Sequence, residues 1–316
     1  MRFGVFAAGA VGGYFGGRLA EAGEDVAFVA RGENLRALRD RGLRVDSVAG
    51  DFTIHPVRAS DDPAELGPVE CVLVAVKTWQ LGGAVQAMRP MVDADTFVVP
   101  LLNGVEAPDI LAGALGKEHV LGGLCRIFAS LAGPGHVKHS GFDPSVHFGE
   151  LDGSRSERVE RLLEAFGRAK GVTAAVPEDI GVALWEKFVF VEPTGAVGAV
   201  TRVPIGVFRS VPETRELLEM AMQEVREVAL AQGVTVSQEA VGRAMTLVDG
   251  LMPSGTASMQ RDILDGRPSE LDGQTGSVVR LARAAGIAVP AHEILYASLI
   301  PQEQLARGDL RLPESG

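Results

Sequence analysis

Cysteine is scarce in this chain, which has two cysteines, Cys71 and Cys125, among 316 residues. Two cysteines cannot cross-link a chain of this length into a disulfide scaffold, and they lack the paired spacing of a zinc site. We therefore expect a reducing compartment and predict no metal site.

Long apolar runs and basic clusters are also missing. The longest uncharged segment, residues 3–17, is shorter than the about 20 apolar residues that span a bilayer. It follows Arg2 and could be taken for a secretion signal, but the acidic residues at 21–25 offer no clear cleavage site. With 30 Lys and Arg against 41 Asp and Glu, the net charge is −11, which repels nucleic-acid phosphates. We predict a cytoplasmic protein that binds neither a membrane nor a nucleic acid.

The first 130 residues alternate short apolar runs with helical patterns. Strands are predicted at 2–7, 25–31, 69–76 and 96–102, and helices at 11–22, 33–41, 78–91 and 106–114. This alternation predicts a parallel sheet with right-handed crossovers. Residues 119–149 are predicted to form an antiparallel edge of the same sheet, and 172–176 a strand that returns to it.

From about residue 155 the pattern is helical, with Gly and Pro residues between the helices. Helices are predicted at 156–170, 179–200, 213–232, 237–250, 258–265, 270–285 and 291–306. The composition, 46 % hydrophobic and 22 % charged, excludes disorder, and the length fits about two domains of roughly 150 residues. We predict an α/β fold with a parallel-sheet domain over 1–176 and an all-helical C-terminal domain over 177–316.

A glycine-rich turn follows the first predicted strand. It reads as a dinucleotide-binding fingerprint with alanine in place of the first glycine. The second glycine lets the backbone approach a pyrophosphate at the helix N-terminus, and the third lets helix and strand pack closely. A glycine-rich helix that merely packs on a sheet is the alternative. The residues assigned to cofactor binding are Ala7, Ala8, Gly9, Ala10, Val11 and Gly12, and the domain is predicted to be Rossmann-type.

Three further residues stand at the ends of predicted strands. Arg31 ends the second strand, where an acid would bind the ribose of NAD and an arginine suits the 2′-phosphate of NADP. A surface arginine is the alternative. Lys77 and Asn103 stand just past two strands, at the edge where open α/β sheets bind ligands. A loop lysine and a turn Asn-Gly are the alternatives. NADP(H) is the predicted cofactor.

A lysine interrupts an apolar helix in the second half. Residues 180–191 are apolar nearly all round, which predicts a buried helix with Lys187 in its middle. Burial lowers the pKa of a lysine toward the range useful for proton transfer, so Lys187 is a candidate acid catalyst. A lysine that reaches the surface, or pairs with Glu186 or Glu192, is the alternative.

Polar residues also mark the following helices. Ser258 and Asp262 are four residues apart and share a helix face. Glu270 is predicted at the start of the next helix. Its alternative role is that of a first-turn acid favoured by the helix dipole, with Ser269 and Asp272 as a capping box.

In this order the motifs resemble the ketopantoate reductase (2-dehydropantoate 2-reductase) family, over nearly the whole chain. After the fingerprint and Arg31 they are Val76-Lys-Thr-Trp-Gln80, Leu102-Asn-Gly104, Leu184-Trp-Glu-Lys187, Ser258-Met-Gln-Arg-Asp262, Glu270 and Gly286-Ile-Ala-Val-Pro290. The resemblance implies NADPH-dependent reduction of a 2-oxo acid to a 2-hydroxy acid, which is ketopantoate to pantoate in pantothenate biosynthesis. It implies a small-molecule partner and a monomer or homodimer.

The resemblance also implies roles for individual residues. Lys187 corresponds to the proton donor, and Lys77, Asn103 and Glu270 surround the cofactor. Ser258 would bind the substrate carboxylate with support from Asp262, and Lys187 and Asn103 would also contact the substrate.

Two departures from the family pattern bear on the substrate. Val191 and Gly195 stand where the family carries substrate-contacting asparagines, and Ala7 replaces a glycine. Because lost amides weaken polar recognition, a related reductase acting on a different 2-oxo acid is the alternative. A non-catalytic NADP(H) sensor is an alternative of another class, against which Lys187 and Glu270 argue.

Overall fold

The computed structural model describes residues 1–312, which divide into two compact units. The first contains residues 1–103 and 107–180, and the second contains 104–106 and the chain from Gly181 onward. The predicted division at 176–178 differs from this one by short segments. Ile180 joins the first unit because it packs on Gly122 and Gly149, whereas Val105 packs in the hydrophobic core of the second unit.

The first unit is built on a parallel sheet, as predicted. Its strands are β1 (Arg2–Phe6), β2 (Asp25–Val29), β5 (Arg58–Ser60), β6 (Cys71–Val74) and β7 (Phe97–Pro100), in the order β5-β2-β1-β6-β7. All neighbouring pairs are parallel, and Phe6 is paired with Val29 on one side and with Val74 on the other. The strands are buried and rich in valine, as expected for a sheet covered on both faces.

The helices of this unit are α1 (Ala10–Glu21), α2 (Gly32–Arg41), α3 (Pro63–Leu66), α4 (Leu81–Met88), α5 (Ala107–Leu115) and α6 (Glu157–Arg168). Short 3₁₀ turns occupy Thr78–Gln80, Arg89–Met91 and Lys117–His119. The predicted helices of residues 1–130 are therefore present, with the predicted helix at 78–91 broken into α4 and two 3₁₀ turns.

A second sheet in the same unit was not predicted. Its strands are β3 (Leu43–Ser47), β4 (Phe52–Ile54), β8 (Leu121–Gly133), β9 (His136–Glu150) and β10 (Thr173–Ala175), in the order β10-β9-β3-β4 with β8 on β9. The prediction that 119–149 and 172–176 extend the first sheet is wrong, although β8 and β9 are antiparallel. Val120 forms a single parallel bridge with Val98 of β7, and beyond it β8 and β9 pack on the side of α1 opposite the first sheet.

Helix α1 lies between the two sheets, and glycines permit the close approach on both sides. A Cβ atom at Gly16 would lie 2.5 Å from a methyl of Val5 in the first sheet. At Gly13 it would lie 2.9 Å from a methyl of Val137 in the second sheet. Real Cβ contacts are not this short, so both faces of this helix require glycine.

The second unit is all-helical, and the predicted fold class is confirmed. Its helices are α7 (Ile180–Thr201), α8 (Ile205–Phe208), α9 (Pro212–Ala231), α10 (Ala240–Gly250), α11 (Ser258–Leu264), α12 (Thr275–Ala285) and α13 (Pro290–Arg307). None of the helices within residues 1–312 is long and apolar enough to cross a bilayer.

One predicted helix start is wrong. The helix predicted to begin at residue 270 begins at Thr275, after an irregular turn. The backbone N–H of Ser269 donates to the carboxylate of Glu303, so tertiary contacts hold this segment outside a helix. The predicted capping box is also absent, because the Ser269 hydroxyl accepts from the N–H of Leu271 instead of that of Asp272.

Candidate active site

Four of the predicted site segments meet at one edge of the first sheet. The fingerprint loop follows β1, and Arg31 follows β2. Val74 is paired with Pro100, and Lys77 and Asn103 follow these two residues by the same number of positions. From β1 the chain runs to β2 and β5 on one side and then to β6 and β7 on the other. The loops therefore surround the switch point between β1 and β6, where open α/β sheets bind ligands.

The fingerprint loop has the backbone of a glycine turn. Ala7, at the place of the first glycine, has φ of 81°, in the left-handed region that costs alanine about 1–2 kcal/mol. A Cβ atom at Gly12 would lie 2.2 Å from the carbonyl oxygen of Ala7, so only glycine fits there. At Gly9 a Cβ would meet no protein atom within 4 Å.

The N-terminus of α1 suits an anion. Gly9 is its N-cap, no side chain caps it, and its first turn carries no acidic residue. The N–H groups of the first turn have no partner within the helix, and the helix dipole favours negative charge beside them.

An asparagine that the sequence analysis missed holds this loop in place. The amide nitrogen of Asn34, in the first turn of α2, donates to the carbonyl oxygen of Ala8 at 2.8 Å. The amide oxygen accepts from the N–H of Gly135, in the β8–β9 turn, at 2.8 Å. The sequence gives no signal for this contact, because Gly135 lies about a hundred residues away in the chain.

The other edge residues differ in exposure. Arg31 is the N-cap of α2, and its exposed guanidinium makes no ion pair with a carboxylate of residues 1–312. Lys77 and Asn103 are half-buried. The backbone N–H of Lys77 donates to the side chain of Gln80 at 3.1 Å, which closes the 3₁₀ turn after β6. Asn103 precedes Gly104, whose φ is 96°.

In the sequence of α7, Lys187 lies between two buried aromatic residues, Trp185 and Phe188. Trp185 and Phe188 pack edge to face with ring centroids 5.8 Å apart. The lysine itself is half-buried, so the predicted buried helix is not fully buried at this position. Its two proposed partners bind other residues, since Glu186 pairs with Arg243 and Glu192 with His292.

The α11 residues Ser258 and Asp262 share a helix face, and both are half-buried. Asp262 accepts from the guanidinium of Arg267 at 2.9 Å. Between them in sequence, Met259 is 1 % exposed. Its terminal methyl lies 3.1 Å from the position of a Cβ at Gly195. The side of α7 at Gly195 is therefore covered by α11.

Glu270 is buried in the turn before α12, with 3 % of its surface exposed. The side-chain amide of Gln274 lies 3.4 Å from one of its carboxylate oxygens. The structure thus gathers the nucleotide-loop candidates at one sheet edge, whereas Lys187, the α11 pair and Glu270 lie on three different elements of the second unit.

A buried charged cluster in the second unit was also missed. The ring nitrogens of His292 lie 2.6 Å from a carboxylate oxygen of Glu224 and 2.7 Å from one of Glu192. Burial alone would lower the pKa of His292, but the attraction of both carboxylates raises it to about 9. Glu224 also accepts from the N–H groups of Ala291 and His292 and so caps α13. The signal in the sequence was an acidic residue among apolar positions on α7 and on α9.

No cluster of three or more His, Cys, Asp or Glu residues that could hold a metal ion occurs in the described part of the chain.

Comparisons with known proteins identify the family. The model of the family "Ketopantoate reductase PanE/ApbA" matches residues 3–153, and that of its C-terminal part matches residues 179–303. An uncharacterized oxidoreductase, YkpB of Bacillus subtilis (strain 168), is 32 % identical over 95 % of this chain and 98 % of its own.

Two further relatives bear a more specific name. A 2-dehydropantoate 2-reductase of Nostoc sp. is 28 % identical over 94 % of both chains. The crystal structure of a 2-dehydropantoate 2-reductase from Geobacter metallireducens GS-15 superposes with a TM-score of 0.89, 31 % identity, and coverage of 95 % of this chain and 99 % of the other. Since the family models match both units, the chain belongs to the ketopantoate reductase family.

Proposed function

We propose that this oxidoreductase uses NADPH to reduce a 2-oxo acid to the corresponding 2-hydroxy acid. The observation that carries the proposal is the position of Arg31. It lies at the sheet edge that also holds the fingerprint loop, Lys77 and Asn103.

The residues at this edge fit a dinucleotide phosphate. The uncapped N-terminus of α1 suits the pyrophosphate, and the open side of Gly9 lets a phosphate come close to the backbone. A guanidinium binds a phosphate through two hydrogen bonds at once, which suits Arg31 to the 2′-phosphate.

The proposed chemistry is a hydride and proton addition to a ketone. The cofactor held at the fingerprint loop would supply a hydride for the carbonyl carbon. Lys187 donates a proton to the carbonyl oxygen, which then becomes the hydroxyl of the product, and general acid catalysis of this kind contributes about 10²–10⁴-fold to the rate. Ser258, supported by Asp262, would hold the substrate carboxylate, and Glu270 would contact the cofactor.

Replacement of Arg31 by alanine tests the cofactor. We expect the Kd of NADPH to rise by about 10–100-fold, because one charge-assisted contact contributes about 1.5–3 kcal/mol. The Kd of NADH should change little, since that cofactor has no 2′-phosphate. Arg36→Ala, which removes an exposed arginine five residues further along α2, is the control. Equal increases in the Kd of NADPH and of NADH, or tighter binding of NADH than of NADPH by the wild type, would contradict the assignment of Arg31 to the 2′-phosphate.

The proposed substrate preference rests on positions 191 and 195, where the resemblance places substrate-contacting asparagines. Met259 covers this position with an apolar methyl group, and Val191 adds an apolar side chain one turn earlier on the same helix. Neither residue offers a hydrogen bond to a substrate hydroxyl. We therefore propose that a 2-oxo acid more apolar than ketopantoate is the better substrate.

The decisive measurement is NADPH oxidation by the purified protein with a panel of 2-oxo acids that includes ketopantoate. We expect turnover of several acids, with a higher kcat/KM for an apolar side chain than for ketopantoate. If ketopantoate exceeds every other acid, the substrate proposal is wrong. If the protein binds NADPH and turns over none of them, it is a sensor and the reductase proposal is wrong.

A further inference from the structure

The turn that carries Glu270 is held by the C-terminal part of α13. Glu303 and Arg307 lie one helical turn apart on α13 and form an ion pair at 2.5 Å. Glu303 is 2 % exposed, and Ser269, the residue before Glu270, is fully buried. Both α13 residues contact Ser269, so charged side chains join this helix to the turn.

The polar groups of Ser269 are all engaged. Its N–H lies 3.1 and 3.0 Å from the two carboxylate oxygens of Glu303, and its hydroxyl donates to one of them at 2.5 Å. The hydroxyl oxygen accepts from the N–H of Leu271 at 3.1 Å. The carbonyl oxygen accepts from Arg307 at 3.0 Å. Hydrogen bonds to ionised groups are about twice as strong as neutral ones, so this arrangement is rigid.

These bonds fix both peptide groups that flank Glu270. The preceding peptide carries the carbonyl bound by Arg307. The following peptide carries the N–H bound by the Ser269 hydroxyl, and the carbonyl of Glu270 accepts from the N–H of Gln274 at 2.9 Å. Because peptide groups are planar, fixing both of them fixes φ and ψ of Glu270 and the direction of its Cα–Cβ bond.

We propose that Glu303, Arg307 and Ser269 are positioning residues for the reaction: they set the orientation of the Glu270 carboxylate toward the cofactor. The inference rests on the proposed function, which assigns Glu270 to the cofactor site. Glu270 lies in an irregular turn, so no helix fixes the direction of its side chain. The contacts of Ser269 with Glu303 and Arg307 fix it instead.

The test is a double-mutant cycle on NADPH binding. We expect Glu303→Gln and Ser269→Ala each to raise the Kd of NADPH on the order of tenfold, because small displacements of a binding group are costly. In a Glu270→Ala background the same substitutions should have almost no further effect, since the carboxylate they orient is gone. Glu293→Gln, on the exposed face of the same helix, is the control.

Two results would overturn the proposal. In the first, the increases in the Kd of NADPH caused by Glu303→Gln and by Glu270→Ala multiply in the double variant. In the second, Glu303→Gln lowers the melting temperature but leaves the Kd of NADPH unchanged. If Glu303→Gln does not fold, Ser269→Ala, which removes a single hydroxyl, decides the question. Absence of wild-type NADPH oxidation with every 2-oxo acid overturns the reductase function instead, so the two failures are distinguishable.

Discussion

Replacing Lys187 with methionine is expected to lower kcat for 2-oxo acid reduction by a factor of 10² or more. Methionine keeps most of the volume of the lysine side chain, but it cannot donate a proton. The Kd of NADPH and the melting temperature should stay close to those of the wild type. Arginine should not restore activity, because the pKa of a guanidinium is too high for it to donate a proton readily at neutral pH.

The matched control is Lys117→Met, which removes an exposed lysine from a 3₁₀ turn of the first unit. It should leave kcat unchanged. If Lys187→Met retains kcat, Lys187 is not the proton donor. If that variant unfolds at ordinary temperature, the role of the lysine is structural.

Replacement of His292 is expected to have a large effect on the stability of the protein. His292→Leu should lower the free energy of unfolding by about 3–5 kcal/mol at pH 6, because it leaves Glu192 and Glu224 buried without their shared cation. Ser298→Ala, which removes an exposed hydroxyl from the same helix, should cost little. Denaturant unfolding of the three proteins measures the difference, and a loss below about 1 kcal/mol for His292→Leu would show that the cluster contributes little.

The same cluster predicts a pH dependence. The pKa of His292 is raised to about 9 in the folded protein, above its ordinary value of 6.5. The stabilisation is therefore complete below pH 6.5 and is lost as the pH rises through 9. The stability difference between the wild type and His292→Leu should shrink by roughly 3 kcal/mol between these limits. A difference that stays constant from pH 6 to pH 10 would show that the histidine is not charged.

Four strands of the first sheet could be predicted from the sequence because each of them is a short apolar run followed by a helical pattern. The fifth, β5, was not predicted, because its three residues include Arg58 and Ser60 and form no apolar run. The second sheet could not, because β3 and β4 are half-polar and β9 joins β3 across about ninety residues. Period and composition report which face of a strand is buried, but they do not report which strand lies next to it.

The candidate site shows the same difference: its local features could be predicted, and its long-range contacts could not. The loop around Gly12 and the position of Arg31 follow from motif spacing and strand ends, which are local properties. The contacts of Ser269 with Glu303 and of Glu192 with His292 join distant parts of the chain. In the sequence the partners are 34 and 100 positions apart, and nothing near either of them indicates the other.

The four glycines of α1 that face the two sheets have a consequence for folding. Glycine is about 1 kcal/mol less favourable than alanine in a helix, so this helix is unstable by itself. It gains its stability from packing against both sheets at once, through Val5 on one side and Val137 on the other. The facing sides of the two sheets share one hydrophobic core with this helix. The first unit therefore folds as a single cooperative block, and the nucleotide loop at the head of α1 takes shape only when residues from both ends of that block have come together.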